Sequence, residues 1–329
     1  MKTAALLQLP GNPFALSYWL RNYERVWKGE IDELHVFLNG ARNREALLAC
    51  EAMVRSAGAR WVPPNPNRLT HGYATQVLFD QCDADTIMLI EDDAFVRTPG
   101  AIAAHLEWAN YECVVGSPRG GMSPTLEQPA RDRWGADPVG PDGSYGYGLW
   151  PCFLFAPRSA LAQVWRGFPA QTWPVGSTIP GLDYYCAEEM HTDTFTASAF
   201  MLRDALPITV EGQWKELWMH DLPEMQALAG YDPPWFHAGG LSNEDFFNGG
   251  GALDNARPNI GGTNEGKDWA HRIWWIRHIV LSAPRDLLPD LRAHYLRRLD
   301  DLTREMGVGQ EVDEWGKTEP PWINWDDEG

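Results

Sequence analysis

Short apolar runs alternate with amphipathic segments through the first ninety positions. The runs at 6–9, 33–38, 59–62 and 86–90 each have the length of a β-strand. Between them, apolar residues recur every three or four positions, as on one face of a helix. These positions are Leu16, Trp19, Leu20, Tyr23 and Trp27, then Leu47, Cys50 and Val54, then Ala74, Val77, Leu78 and Cys82. The alternation predicts βαβ units and an α/β fold with a mostly parallel sheet flanked by helices.

The fourth apolar run leads directly into three acidic residues. Ile87 to Ile90 show no polar alternation, which predicts a strand buried on both faces. Because charges are costly to bury, Glu91, Asp92 and Asp93 are expected at the carboxyl end of this strand, where open α/β sheets bind ligands. A hard divalent ion shared with phosphate oxygens would relieve their mutual repulsion. The alternative is that these acids begin a loop or stabilise a following helix N-terminus.

The second half of the chain is less regular. Strands are predicted at 113–116, 149–155, 207–210 and 235–242, and helices at 101–109, 160–165, 192–203, 269–281 and 284–304. Thr192 is a candidate N-cap for the third of these helices. Residues 117–148 are rich in Gly, Pro and Asp, and a structureless stretch of this length is typically functional or mobile. Acidic residues and tryptophans mark a tail from 312 that would lie over the surface.

Composition narrows the class of protein. The 329 residues carry a formal net charge of −18, which disfavours non-specific binding to DNA or anionic membranes. No apolar run is long enough to span a bilayer, and the first residues are interrupted by Pro10 and Gly11 too early for a signal peptide. Five scattered cysteines without paired spacing indicate free thiols in a reducing compartment, so a cytoplasmic location is expected.

The order of these features resembles the GT-A glycosyltransferases. The shared pattern is three βα units, an apolar strand ending in Glu91-Asp92-Asp93, a helix accompanied by acids, and the turn Trp235-Phe236-His237-Ala238-Gly239-Gly240. The resemblance implies a GT-A-like catalytic domain over 1–245, with a nucleotide-sugar-binding half at 1–116 and an acceptor half at 117–245. A loop, C-terminal helices and an acidic tail would occupy 246–329. It also implies transfer of a hexosyl or pentosyl group from a nucleotide-sugar.

The resemblance assigns the metal site to two parts of the chain. Glu91-Asp92-Asp93 is similar to the family's acidic motif, which holds Mn²⁺ or Mg²⁺ against the diphosphate. Asp93 matches the direct metal ligand, Glu91 would bind the same ion or its water, and Asp92 would contact the ribose or donor sugar. His237 matches a late histidine that supplies a further ligand. The alternative for His237 is a structural role in the core.

Candidates for the catalytic base lie near position 190. An inverting reaction needs a base that accepts the proton of the acceptor hydroxyl. The resemblance favours Asp193 in this role, with Glu188 and Glu189 as rivals and His191 as an acceptor contact. Asp193 could equally stabilise a helix N-terminus. The family's usual Glu-Asp pair reads Thr192-Asp193 here, which departs from the pattern.

Further binding residues are expected where strands end. Pro10, Gly11, Asn39 and Arg42 follow the first two strands and are candidates for the nucleotide, with a UDP-sugar as the expected donor. Arg119 would lie near phosphate. Trp150 would form a stacking surface for the sugar or acceptor.

Several functions remain open at this stage. The acceptor is expected to be a saccharide or small molecule, with a hydroxymethylated DNA base as an alternative because arginines and aromatics interleave over 271–298. Those arginines could instead pair with the protein's own acids. A nucleotidyltransferase lacks support, since Leu9-Pro10-Gly11-Asn12-Pro13 is not a basic glycine-rich loop. A non-catalytic sugar-binding protein is the third possibility. No GxGxxG follows the first strand, which argues against a dinucleotide-binding fold.

Overall fold

The computed structural model describes residues 1–41, 43–62, 69–109, 114–119, 124–135, 148–205, 235–237 and 265–315. Twelve strands lie in these parts of the chain: β1 (Thr3–Gly11), β2 (Glu33–Ala41), β3 (Arg60–Val62), β4 (Thr86–Glu91), β5 (Ala94–Val96), β6 (Val115–Arg119), β7 (Gly148–Pro157), β8 (Gln171–Trp173), β9 (Thr178–Ile179), β10 (Tyr184–Tyr185), β11 (Met190–Thr192) and β12 (Trp235–His237).

Ten α-helices lie in the same parts: α1 (Pro13–Asn22), α2 (Arg44–Ser56), α3 (His71–Gln81), α4 (Ala101–Ala109), α5 (Pro124–Trp134), α6 (Arg158–Val164), α7 (Thr196–Ala205), α8 (Glu265–Ser282), α9 (Pro289–Met306) and α10 (Gly309–Trp315). A π-helical turn over Tyr23–Trp27 extends α1. Asn12 caps α1 by accepting hydrogen bonds from the amides of Phe14 and Ala15 at 3.0 and 3.2 Å.

A six-stranded sheet in the order β3-β2-β1-β4-β7-β6 forms the centre of the fold. β1 pairs in parallel with both β2 and β4, and β2 pairs in parallel with β3. β7 runs antiparallel to its neighbours β4 and β6. The sheet is therefore mixed and mostly parallel with helices around it, which confirms the predicted α/β class.

The two faces of the sheet bury separate sets of residues. Leu7 of β1 and Ile90 of β4 lie in a core with α1, α2 and the C-terminal helices α8 and α9. Leu6 and Leu89 face the other way, into a core with α3, α6 and α7. Successive residues of β4 thus enter opposite cores, and the prediction of a strand buried on both faces is confirmed.

The C-terminal helices complete the first of these cores. The ring of Tyr18 in α1 meets Trp275 of α8 edge-on at 6.4 Å, and Phe14 meets Tyr295 of α9 at 5.6 Å. The described part of the predicted 246–329 region is thus packed directly against the sheet's own helices. The domain boundary at 245 stays a prediction.

Three sequence predictions about secondary structure are wrong. The stretch 117–148 is not structureless throughout, because β6 reaches Arg119 and α5 occupies Pro124–Trp134. Thr192 does not cap a helix, because it ends β11 and α7 begins at Thr196. The tail does not start at 312, since α10 continues to Trp315. The predicted strand at 207–210 lies outside the described residues.

Candidate functional site

The topology of the sheet locates a crevice between β1 and β4. From β1 the chain moves outward through β2 to β3, then returns to place β4 on the other side of β1. Strand order therefore reverses between β1 and β4. In open α/β sheets, ligands bind outside the carboxyl ends of the strands at such a point. Here those ends are Gly11 and Glu91.

The three predicted acids lie at this position. Glu91 is the last residue of β4 and pairs with Gln8 of β1. Asp92 and Asp93 form the turn that follows, before β5 begins at Ala94. Both aspartates are only 2% exposed. The triplet therefore lies at the expected end of the strand, with Asp92 and Asp93 buried in a tight turn between β4 and β5. This turn matches the alternative in which the acids begin a loop, and it does not match the one in which they begin a helix.

A histidine that sequence reasoning did not single out contacts the triplet. His71 is the first residue of α3, and its Nε2 lies 3.5 Å from Oε1 of Glu91. The two side chains are 29% and 14% exposed, so the pair lies at the mouth of the crevice. Gly72 brings this end of α3 close to another segment, since a Cβ there would lie 2.3 Å from Cα of Pro169. The glycine was the only local signal that this helix start is tightly placed.

Asn39 connects β2 to the segment before α3. Its Nδ2 donates to the carbonyl of Leu69 at 2.7 Å, and its Oδ1 accepts from the amide of Leu69 at 2.8 Å. A longer contact of 3.4 Å reaches Oε1 of Gln8. Asn39 thus fixes the backbone two residues ahead of His71. Its predicted contact with the nucleotide stays a prediction.

The backbone of His237 lies across from the acidic turn. β12 pairs antiparallel with β5, and His237 is the partner of Ala94, the residue after Asp93. Two segments far apart in the sequence therefore meet at this turn. Sequence reasoning assigned both to one metal site, and the backbone register brings them to adjacent positions.

The candidate catalytic acids flank β11, one strand of a separate two-stranded sheet. β8 and β11 pair antiparallel, with His191 opposite Thr172. Nδ1 of His191 lies 2.9 Å from the Thr172 hydroxyl, and its Nε2 lies 3.5 Å from Oε1 of Glu189. Asp193 follows β11, is exposed, and accepts a hydrogen bond from the amide of Thr194 at 2.6 Å. Glu188 is also exposed.

The remaining predicted residues are described only in part. Gly11 ends β1 and pairs with Ala41. Pro10, Arg119 and Trp150 have described backbones in β1, β6 and β7, while their side chains lie outside the described residues. Arg42 lies outside them entirely. Their roles stay predictions.

The acidic side chains at the turn are of the type that binds hard divalent ions. The described side chains are not brought together as a set of metal ligands. Carboxylate oxygens suit Mg²⁺, and an added imidazole suits Mn²⁺. Across the parts of the chain that the structure describes, no three His, Cys, Asp or Glu side chains lie together as a metal-binding group. The side chain of His237 is not among those described. Residues that could hold a metal are therefore Asp93 and Glu91, with His237 placed beside them by its backbone.

In the arginine-rich stretch 271–298, two of the three aromatic residues are buried and Trp274 is partly buried. Trp275 and Tyr295 are 2% and 3% exposed and belong to the core under α1. Arg277 pairs with Asp300 at 2.6 Å. Arg298 pairs with Glu305 at 3.2 Å. These two pairs match the alternative in which the arginines pair with the protein's own acids.

A groove at the opposite end of β4 contains none of the predicted site residues. Its volume is about 740 Å³, and its lining includes Asp85, Thr86 and Arg158. It lies at the amino end of β4, away from the acidic turn. The location of the candidate site therefore rests on topology and on the residues themselves.

No protein-family model matches the chain, and no curated protein matches it in sequence. Solved structures do resemble it. Glucosyl-3-phosphoglycerate synthase from Mycobacterium tuberculosis, in complex with Mn²⁺ and UDP-glucose, is 19% identical with a TM-score of 0.34 over 49% of this chain and 57% of that one. Mannosyltransferase PcManGT from Pyrobaculum calidifontis, in complex with GDP-Man and Mn²⁺, is 10% identical with a TM-score of 0.42 over 98% and 82%.

A nucleotidyl transferase from Methanothermobacter thermautotroptrophicus is also similar, at 13% identity and a TM-score of 0.37 over 62% of this chain and 84% of that one. This chain thus spans little more than half the length of the synthase it resembles. With these identities and TM-scores, no activity passes from these enzymes to this chain. Among the described residues, no helix has the length and apolar character needed to cross a membrane.

Proposed function

We propose that the protein is a metal-dependent glycosyltransferase that moves a hexosyl or pentosyl group from a nucleoside-diphosphate sugar to an acceptor hydroxyl. The observation that carries the proposal is the position of Glu91, Asp92 and Asp93. They lie at the carboxyl end of β4, beside the point where strand order reverses. A UDP-sugar is the proposed donor, and a saccharide or small molecule is the proposed acceptor.

Asp93, Glu91 and His237 would hold a Mn²⁺ or Mg²⁺ ion. When bound, such an ion neutralises the negative charge that develops on a departing diphosphate. Asp92 would accept hydrogen bonds from ribose or sugar hydroxyls. The burial of Asp92 and Asp93 supports these roles, because a carboxylate shielded from water interacts more strongly with a nearby cation.

The other donor contacts would come from neighbouring strand ends. Pro10 and Gly11 are the last two residues of β1, and Asn39 lies in β2. Arg42 and Arg119 would supply positive charge to phosphate oxygens. Gly11 and Glu91 flank the crevice, which supports a nucleotide there. Trp150 would offer a flat surface for a sugar ring.

Asp193 is the proposed base if the reaction inverts configuration, with Glu189 as the rival and His191 as an acceptor contact. A base must reach the proton of the acceptor hydroxyl directly or through one water. Asp193 is exposed and lies between β11 and α7, so it is open to an entering acceptor. Glu189 lies beside His191, which supports a shared role for that pair.

A reducing, cytoplasmic location is proposed from the cysteines. Cys50, Cys82 and Cys186 are buried free thiols. Burial raises the pKa of the Cys50 thiol to about 12, so this side chain is an inert core residue. Cys113 lies outside the described residues, as does the side chain of Cys152.

A panel of nucleotide-sugars tests the proposal. Each is incubated with the protein and Mn²⁺, and release of free nucleoside diphosphate is measured, since slow transfer to water reports the donor without an acceptor. Release is expected with one donor and is expected to disappear with EDTA and in Asp93→Ala. Release of pyrophosphate from a nucleoside triphosphate would instead identify a nucleotidyltransferase. Binding of glycan without turnover of any donor would identify a sugar-binding protein.

A further inference from the structure

Two side chains on one face of α1 form hydrogen bonds to the backbone on either side of the acidic turn. Trp19 and Asn22 lie three positions apart and therefore project from the same side of the helix. Nε1 of Trp19 donates a hydrogen bond to the carbonyl of Glu91 at 3.2 Å, at the start of the turn. Asn22 contacts Val96, at the end of the strand that follows the turn.

The contact between Asn22 and Val96 imitates the pairing of a strand. Nδ2 of Asn22 donates to the carbonyl of Val96 at 2.8 Å, and Oδ1 accepts from the amide of Val96 at 3.0 Å. Both residues are buried, Asn22 at 1% exposure. Nε1 of Trp27 donates to the same Oδ1 at 3.3 Å and so orients the amide. Among the common side chains of this length, only an amide supplies both a donor and an acceptor here.

These bonds fix the turn because they act on its backbone at two points. Asp92 and Asp93 lie between the anchored carbonyl of Glu91 and the anchored residue Val96. The strand so held is β5, and β12 pairs with it to place His237 beside Ala94. A shift of β5 would therefore displace the carboxylates and the histidine together.

We propose that Trp19 and Asn22 are positioning residues for the metal and donor site, acting through the β4–β5 turn without touching the ligand. This inference rests on the function proposed above. A metal site needs its ligands held to within a fraction of an ångström. Loss of one of these hydrogen bonds to the backbone should therefore lower the free energy of metal binding by more than it lowers the free energy of unfolding.

Trp19→Phe is the primary test, because it removes the indole N–H and keeps an aromatic ring in the core. Asn22→Leu is the second variant and removes both bonds to Val96. Ser198→Ala is the matched control, since Ser198 is fully buried and donates to the carbonyl of Val164 at 2.8 Å on the opposite face of the sheet.

Two measurements are made on the full chain. Mn²⁺ alone is titrated and followed by electron paramagnetic resonance, and amide hydrogen exchange is followed over residues 92–96. Trp19→Phe is expected to bind Mn²⁺ about tenfold more weakly, and Asn22→Leu more weakly still. Both are expected to exchange faster at 92–96 while β1 and β2 remain protected. Ser198→Ala is expected to match the wild type in Mn²⁺ affinity and in amide exchange at 92–96. Its loss of thermal stability is expected to be similar to that of the two test variants.

The outcomes separate the two proposals. Unchanged Mn²⁺ affinity in Trp19→Phe and Asn22→Leu, or exchange that rises equally across the sheet, would overturn the positioning role. If the wild type binds no Mn²⁺ and releases no nucleotide from any donor, the proposed function fails. In that case, faster exchange confined to 92–96 in the two variants would still show that α1 holds the turn. Exchange that rises equally across the sheet would show that it does not.

Discussion

Individual side chains around the acidic turn have separable roles. Glu91 contacts the imidazole of His71 on the α3 side and gives its backbone carbonyl to Trp19 on the α1 side. Contacts from opposite faces of the sheet thus meet on one residue. Each contact can be removed separately: His71 is partly exposed, and Trp19→Phe keeps an aromatic ring in the core.

His71→Ala is expected to lower kcat/KM for donor hydrolysis about fivefold. The physical reason is that an ion pair to a carboxylate orients it, and a partly exposed pair at 3.5 Å is worth about 1 kcal/mol, or about fivefold. The kinetics are measured with the donor found in the nucleotide-sugar panel, beside the melting temperature. Gln76→Ala on the same helix, whose Nε2 bonds the carbonyl of Trp165, controls for general loss of packing. Unchanged kinetics in His71→Ala would contradict this role.

The buried His105 and the partly buried His278 predict a pH dependence of stability. Burial lowers the pKa of both imidazoles from 6.5, so the folded protein favours their neutral forms. Below pH 6.5 the unfolded chain binds more protons at these two histidines than the folded protein does. The contribution of the neutral histidines to the unfolding free energy is therefore complete above pH 6.5 and is lost as the pH falls below it.

Urea unfolding between pH 5 and 7.5 measures this effect. His105 stacks on Phe155 and His278 stacks on Trp274, so His278→Phe keeps a ring in place while removing the titration. A smaller fall in unfolding free energy toward pH 5 is expected in the variant than in the wild type. Parallel pH profiles for the two proteins would argue against the assignment.

At the scale of elements, the position of α3 depends on the absence of a side chain. A Cβ on Gly72 would lie 2.3 Å from Cα of Pro169 and 2.4 Å from the carbonyl oxygen of Phe168. Gly72→Ala is therefore expected to lower the unfolding free energy by about 1–3 kcal/mol, because backbone must move to relieve the overlap. Gly29→Ala, where a Cβ meets nothing within 4 Å, is the control in denaturant unfolding. Equal stability of the two variants would refute the close packing.

The elements that the sequence predicts well are those set by local apolar patterns. The four parallel strands and three helices before Glu91 follow from runs and periodicities that lie within a few residues of one another. α5 was missed because its helical stretch is polar, contains Pro129 and is flanked by glycine-rich segments. Thr192 was misassigned because it pairs with Gln171 in β8, and a distant strand pairing leaves no local pattern.

In the candidate site too, the sequence predicts the residues that follow a local pattern and does not predict those joined by long-range contacts. The position of the acidic triplet at the end of β4 is predicted from the apolar run before it. The expectation that these acids avoid burial is wrong for Asp92 and Asp93, which are 2% exposed. His71 was not predicted, because its contact with Glu91 crosses twenty positions of sequence and joins a helix start to a strand end. The hydrogen bonds between Asn22 of α1 and Val96 cannot be predicted for the same reason. Asn22 interrupts an apolar helix face, and the sequence does not indicate what it binds.

At the scale of the whole molecule, the C-terminal helices share one core with β5, the strand that follows the acidic turn. Trp275 of α8 stacks on Phe95 of β5 at 6.3 Å and meets Tyr18 of α1 edge-on. Trp275→Ala is expected to lower the unfolding free energy by about 3–5 kcal/mol, as for a fully buried tryptophan. Leu281→Ala on the same helix, 57% exposed, is the control in chemical denaturation. A loss below about 1 kcal/mol in Trp275→Ala would show that α8 packs loosely.

The pairing of β5 with β12 has a consequence for the order of folding. It joins Ala94 to His237 and so closes a loop of roughly 140 residues, whose entropic cost must be met before the contact gives any return. The β1–β2 pairing closes a far shorter loop, from Ala4 to Glu33, and the β1–β4 pairing a loop of intermediate length, from Thr3 to Thr86. Long-range contacts form late in such topologies. A refolding chain would therefore regain its helical circular dichroism before β12 pairs with β5. If the protein binds the proposed metal, metal binding would recover in a separate, slower kinetic phase.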